Sequence, residues 1–148
     1  MTLVELLIIL VMIGLVLAAS VPAMRSTLQG FRHNNSVGMV TSRMFLTRQM
    51  AVREKVPHVV TLDVANRQFS IFSDDDEDGV QDVGEDTLGP YQLDTDVRLV
   101  NVDWAGAQMT FFPNGRASQT GDLQVVDGGG RTKTIRVRSL TGNTEVLP

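Results

Sequence analysis

From Leu6 to Met24 the chain runs nineteen residues without a charged side chain, LLIILVMIGLVLAASVPAM. As a helix this stretch is about 28 Å long, close to the ~30 Å hydrocarbon core of a bilayer. A domain of 148 residues can hardly wrap a helix that is apolar on every face. Lipid or other chains must cover it. Glu5 is the single ionisable side chain in residues 2–24. A carboxylate costs about 2.5–3.5 kcal/mol at bilayer depth. Glu5 is therefore expected at the hydrated membrane edge, against the positive helix N-terminus, or against a cation such as the α-amino group of a neighbouring chain. Gly14 and Pro22 weaken a helix by about 1 and 3 kcal/mol respectively, so a kink or local melting is expected between them.

Helical spacing continues beyond Pro22 through Met24, Leu28 and Phe31. It resumes with Val37, Val40, Met44 and Ala51 after the polar interruption His33-Asn34-Asn35-Ser36 and Gly38. One long helix is predicted to about Glu54, ended before Pro57. Charge divides the chain into blocks. Residues 25–55 carry Arg25, Arg32, Arg43, Arg48, Arg53 and Lys55 against Glu54 alone, whereas residues 56–104 carry twelve acids against Arg67 and Arg98. The formal net charge of −4 is what these opposed blocks leave, so it says little about partners. The pattern predicts an apolar, membrane-length helix over 1–24, its amphipathic continuation over 25–55, and a sheet domain over 56–148.

Within that domain, Val59–Leu62 and Gln68–Phe72 flank the turn Ala65-Asn66-Arg67 as a hairpin. Val97–Val102 and Ala107–Phe112 alternate as strands. Leu123–Val126 and Thr134–Leu140 flank Gly128-Gly129-Gly130 as a second hairpin. The fold class is α+β, the long helix covering one face of antiparallel sheet.

Residues 74–86 read DDDEDGVQDVGED, eight acids without a base. Asp74, Asp76, Asp78, Gly79 and Glu85 complete the spacing D-x-D-x-D-G-x5-E, with Asp82 at position nine and the Val80 carbonyl at seven. Crowded carboxylates repel, and a hard cation with six to eight oxygen ligands relieves that repulsion. Position eight is Gln81, where an apolar residue is usual, and Phe69–Phe72 before the loop is strand-like. The expectation is thus a Ca2+ loop inside a sheet domain; the alternative is a solvated acidic loop.

No cysteine is present, which excludes disulfides, Cys-ligated metal centres and a thiol nucleophile. His33 and His58 stand alone, without the spacing of a zinc site. No nucleophile elbow, Walker A or Rossmann fingerprint appears, so no enzyme activity is expected.

The start MTLVELLIILVMIGLVLAASVPAM, with Thr2, Leu3, Glu5 and Pro22, resembles the mature N-terminus of type IV pilin-like proteins. VVTLDVANRQFSIFSDDDEDG, GEDTL, MTFFPNGRAS and IRVRSLTG look like its GspH/FimT branch, the minor pseudopilins of type II secretion and minor pilins of type IV pili. The resemblance implies a structural subunit that assembles through its N-terminal helix. Its neighbours would be copies of itself or other pilin-like subunits in a helical filament. Met1, Glu5, Gly14 and Pro22 would be its assembly residues, and Glu5 would set axial register against an adjacent Met1. It further implies a prepilin peptidase that cleaves a leader and N-methylates the first residue, here Met1 where the family usually has Phe. Residence follows: a single pass of the bacterial inner membrane with an exported C-terminal domain, then a periplasmic pseudopilus or an extracellular pilus.

Two other functions stay open at this level. One is a membrane-anchored calcium-binding protein that does not polymerise. The other is a competence-type DNA binder. Some members of the resembled branch bind DNA through a Gly-Arg-x-Arg run near the C-terminus, but the matching place reads Gly142-Asn143-Thr144-Glu145. Arg131, Lys133, Arg136 and Arg138 remain as a small basic patch, expected to be a solvated face.

Overall fold

Thr2 starts helix α1, which spans Leu3–Glu54. The Glu5 N–H donates to the Thr2 hydroxyl and the Thr2 N–H to the Glu5 carboxylate, both at 3.3 Å, a reciprocal capping box. Lys55, in left-handed backbone (φ 60°), ends the helix two residues before Pro57. The computed structural model describes residues 2–148, without the side chains of 19–23, 25 and 26; Met1 lies outside the described residues. The helix runs without a break through Gly14 and Pro22.

The two halves of α1 meet different surroundings. From His33 onward one stripe is buried: His33, Ser36, Val37, Val40, Met44, Thr47 and Ala51. These positions recur at helical period and face the sheets. The expected stripe began earlier, at Met24, Leu28 and Phe31, but these are 66, 45 and 62% exposed. The sheet domain meets the helix only from about Gln29 onward, so Met24 and Leu28 precede it, and Phe31 lies on the face turned away from it. Every Leu, Ile, Val and Met from Leu3 to Leu17 is at least 44% exposed. Among the described residues no helix is long and apolar enough to cross a membrane.

Eight antiparallel strands follow: β1 (His58–Asp63), β2 (Gln68–Ser73), β3 (Thr87–Gln92), β4 (Val97–Val100), β5 (Gln108–Phe111), β6 (Gly121–Asp127), β7 (Thr132–Val137) and β8 (Thr144–Leu147). They form two four-stranded sheets, ordered β3-β2-β1-β5 and β4-β6-β7-β8. Val60 pairs with Ile71 on one side and Met109 on the other, setting three buried side chains in a row. Leu123 opposite Ile135, and Leu99 opposite Val125, do the same in the second sheet. With Val40, Met44 and Ala51 of α1 these side chains make one core. Each fully buried side chain contributes about 1.5–3 kcal/mol.

Both predicted hairpins form, as β1–β2 and β6–β7. The predicted strand Val97–Val102 stops at Val100, and Thr134–Leu140 stops at Val137, where Gly142 N donates to Arg138 O in a turn. Strands β3 and β8 were not predicted. Pro90 is tolerated because β3 is an edge strand, paired among the described residues only to β2, with a register shift between Phe69 and Ile71. β8 is likewise an edge strand, paired among the described residues only to β7.

The polar interruption in the helix is a seam to the domain. The His33 ring nitrogen Nε2 lies 3.0 Å from the Val125 carbonyl, and Lys133 donates to Asn34 at 3.0 Å. Arg32 pairs with Asp96 at 2.9 Å and lies 3.7 Å from Asp94. Arg43 stacks 4.4 Å over Tyr91, and Arg48 donates to the Gly115 carbonyl at 2.9 Å. Three arginines of the basic block therefore fasten the helix to its own domain. Gly30 belongs to the same seam, since a Cβ there would stand 2.9 Å from the Arg131 guanidinium.

Candidate functional site

Two features have no use within the fold: the exposed apolar half of α1 and the acidic loop between β2 and β3.

On the helix, the Glu5 carboxylate serves the cap of its own chain, and the residue expected to pair with it, Met1, is not described. A Cβ at Gly14 would meet nothing within 4 Å, so this glycine is an open notch on the helix surface. Pro22 lies within α1, outside the described side chains.

The loop is pinned at its base. Ser73 N donates to Asp86 O at 3.0 Å, Asp86 N to the Ser73 hydroxyl at 3.1 Å, and Asp74 N to Pro57 O at 2.9 Å. Asp74 is 3% exposed. Its Oδ2 accepts from Gly79 N at 3.1 Å, whereas Oδ1 is buried without a hydrogen-bond partner. Gly79, with φ 76°, makes the turn that brings its N–H there. One carboxylate oxygen from each of Asp74, Asp76 and Asp78 lies within 4.8 Å of the others. Oxygens around one calcium ion sit about 2.4 Å from it, so any two lie within about 5 Å of each other.

The remaining predicted ligands are placed differently. Glu85 Oε1 accepts from Asp75 N at 3.1 Å and Oε2 from Asp82 N at 2.8 Å, so its carboxylate spans the loop but is held by backbone. Asp82 is exposed, and the Val80 N–H donates to Asp78 at 2.7 Å. Gln81 donates to Thr87 Oγ1 at 2.9 Å, which ties the loop to β3 and gives the polar residue at position eight a use. Burial, then the charges of Glu85 and Asp78, push the Asp74 carboxyl above the usual carboxylate range, against the backbone N–H groups of Gly79 and Asp78 that pull it down. The charge of Asp78, followed by partial burial and the charges of Asp76 and Glu85, pushes Asp82 up as well. The carboxylates thus gather at a point of unrelieved negative potential.

The basic patch does not persist as free charge. Arg136 makes a bidentate pair with Asp122 at 2.7 Å, and Arg138 one with Glu145 at 3.0 Å. Arg131 donates to Asp127 at 2.7 Å, and Lys133 is on Asn34. Glu145, the acid standing where the DNA-binding run would need arginine, closes one of these pairs. The Arg136 hydrogen bond holds Asp122 below its ordinary value, against slight burial.

Sequence reasoning missed Asp127. Its carboxylate accepts from Gly129 N, Arg131 N and Arg131 Nε at 2.7–2.9 Å, closing the β6–β7 turn. The available signal was an acid directly before three glycines, read as turn composition alone.

A family model described as type II transport protein GspH matches residues 39–141. Two solved structures of the minor pseudopilin EpsH from the type II secretion system of Vibrio cholerae share the fold. One has a TM-score of 0.62 at 16% identity, covering 78% of this chain and 96% of that one. The other has a TM-score of 0.60 at 15% identity, covering 78% and 93%. No curated protein matches the sequence.

Proposed function

Because the chain belongs to the GspH family of type II transport proteins, we propose that it is a structural subunit of a type II secretion pseudopilus, joined to other pilin-like subunits by the first half of α1. The exposed apolar run from Leu3 to Leu17 carries this reading. Thirteen large apolar side chains stand in solvent there. Covering them contributes on the order of 20 kcal/mol before the costs of association. Before assembly the uncharged run of residues 6–24, which extends past Leu17 into residues 19–23 whose side chains are not described, rests in the inner membrane as a single pass, with the sheet domain exported. In the filament, neighbouring helices replace lipid, Gly14 admits a close approach, and Glu5 meets the methylated amine of an adjacent Met1 left by the prepilin peptidase. The acidic loop of the exported domain is a calcium site within this subunit. DNA binding has less support, since Arg131, Arg136 and Arg138 are each spent on an acid.

Deleting the chain from its host is expected to leave type II substrates in the periplasm, with secretion restored by the full chain. Normal secretion in the deletion strain would contradict the assignment.

A further inference from the structure

The reading of the acidic loop as a calcium site leaves open which groups form it and what the ion does. Resting on that reading, we infer that Asp74, Asp76 and Asp78 are the preformed part of the site, that Glu85 transfers to the ion from the backbone, and that the bound ion locks edge strand β3 onto the sheet.

Asp74 anchors the argument. It is 3% exposed, its Oδ1 has no partner, and its other oxygen is spent on Gly79 N. A buried carboxylate oxygen with nothing to accept is rare in a folded protein, and the adjacent oxygens of Asp76 and Asp78 supply no proton. A cation at their centre satisfies all three.

Glu85 stands at position twelve, where such a loop places a bidentate ligand. Its two oxygens instead take the N–H groups of Asp75 and Asp82. Both residues are exposed, so water can replace Glu85 there once the ion draws it in. The three aspartates and a bidentate Glu85 supply five oxygens, and the Val80 carbonyl and Asp82 at positions seven and nine complete a set that suits calcium; magnesium demands a tight octahedron and keeps several waters.

The consequence follows from connectivity. The loop joins β2 to β3, and among the described residues β3 has no other strand partner. Its base is already clamped by Ser73 and Asp86, and its far side by Gln81 on Thr87. Drawing Glu85 to the ion closes the remaining span between these clamps, two residues before β3 begins.

The full chain in detergent micelles, stripped with chelator, tests this by calorimetric titration with calcium chloride. One site is expected, with a dissociation constant of about 10⁻⁵–10⁻³ M and magnesium at least about tenfold weaker. At a calcium concentration 100 times that constant, the folded-to-unfolded ratio rises about 100-fold. Asp78→Asn, at an exposed position, is expected to weaken calcium at least about tenfold. Glu85→Gln is expected to weaken it and to abolish calcium protection of residues 75–86 from protease. No calcium heat up to about 10 mM, a concentration well above the range for extracellular calcium modules, overturns the site. Unchanged affinity in Asp78→Asn does so too, and unchanged protection in Glu85→Gln overturns the transfer. A flat titration with normal secretion removes the ion and leaves the subunit role; calcium binding with secretion unaffected by deletion does the reverse.

Discussion

Glu5→Ala is expected to abolish incorporation of the chain into pseudopilus filaments while leaving the melting of its sheet domain unchanged. The domain is indifferent because Glu5 is bonded to Thr2 at the helix start, away from the sheets. Removing the capping box costs about 1 kcal/mol at a helix end far from the core. In a filament the same carboxylate enters an apolar bundle, where an uncompensated charge costs several kcal/mol. That penalty falls on every misplaced neighbour and vanishes only where a cation stands opposite, so the acid specifies one axial position. Alanine removes both penalty and pairing, and register is lost. Glu5→Gln keeps the acceptor for the Thr2 N–H but not the charge, and should fail with alanine. The measurement is the amount of chain in sheared filaments, beside a circular dichroism melt. Normal incorporation of either variant contradicts the register role.

Asp127→Ala is expected to give the larger loss of stability, about 2–3 kcal/mol and on the order of 10 °C in melting midpoint. The Asp127 side chain is 1% exposed and accepts three hydrogen bonds, two from backbone N–H groups of the β6–β7 turn. Alanine removes three charge-assisted hydrogen bonds made by a buried carboxylate and releases Arg131 from its place over Gly30, where the hairpin meets the helix. Asp122→Ala is the control. It breaks a bidentate arginine pair of the same 2.7 Å length, but the partners are 39 and 33% exposed. Water screens and replaces that pair, so its loss costs at most about 1 kcal/mol. Equal losses in the two variants would contradict the account.

The same residue carries an acid dependence. Burial alone would raise the Asp127 carboxyl, but hydrogen bonds from the Arg131 N–H, the Arg131 guanidinium and Gly129, with the Arg131 charge, hold it below its ordinary value. A carboxyl depressed on folding stabilises the protein above its unfolded value of about 3.9. That contribution is lost as pH falls through the lower folded value. Asp127→Ala should therefore show a smaller drop in melting temperature than the parent chain on acidification below pH 4.

Local pattern made much of this molecule readable. The long helix, its end before Pro57, both hairpins and the loop spacing rest on periods and turn residues within a few positions of one another. What escaped depended on distant partners. Nothing near Gly89-Pro90 shows that β2 will accept it as an edge strand. Nothing near Thr144–Leu147 shows that β7 has a free side. The division into two sheets follows from β5 returning to β1 across residues that belong to the other sheet. His33 looked like an interruption because its acceptor, the Val125 carbonyl, is 92 positions away. Of the acidic loop, the spacing was visible, whereas the burial of Asp74 and the engagement of Glu85 with backbone were not.

The central claim, assembly through the first half of α1, is tested most directly by a photo-crosslinking residue. Benzoylphenylalanine placed at Leu10, 59% exposed on the apolar helix, is to be irradiated in cells that carry assembled pseudopili, with a second chain labelled at Val83 on the exposed face of the acidic loop. The account predicts adducts from position 10 with pilin-like subunits identified by mass spectrometry, lost when Glu5→Ala is added, and no such adducts from position 83. Absence of protein adducts at position 10 in cells with intact filaments would contradict it.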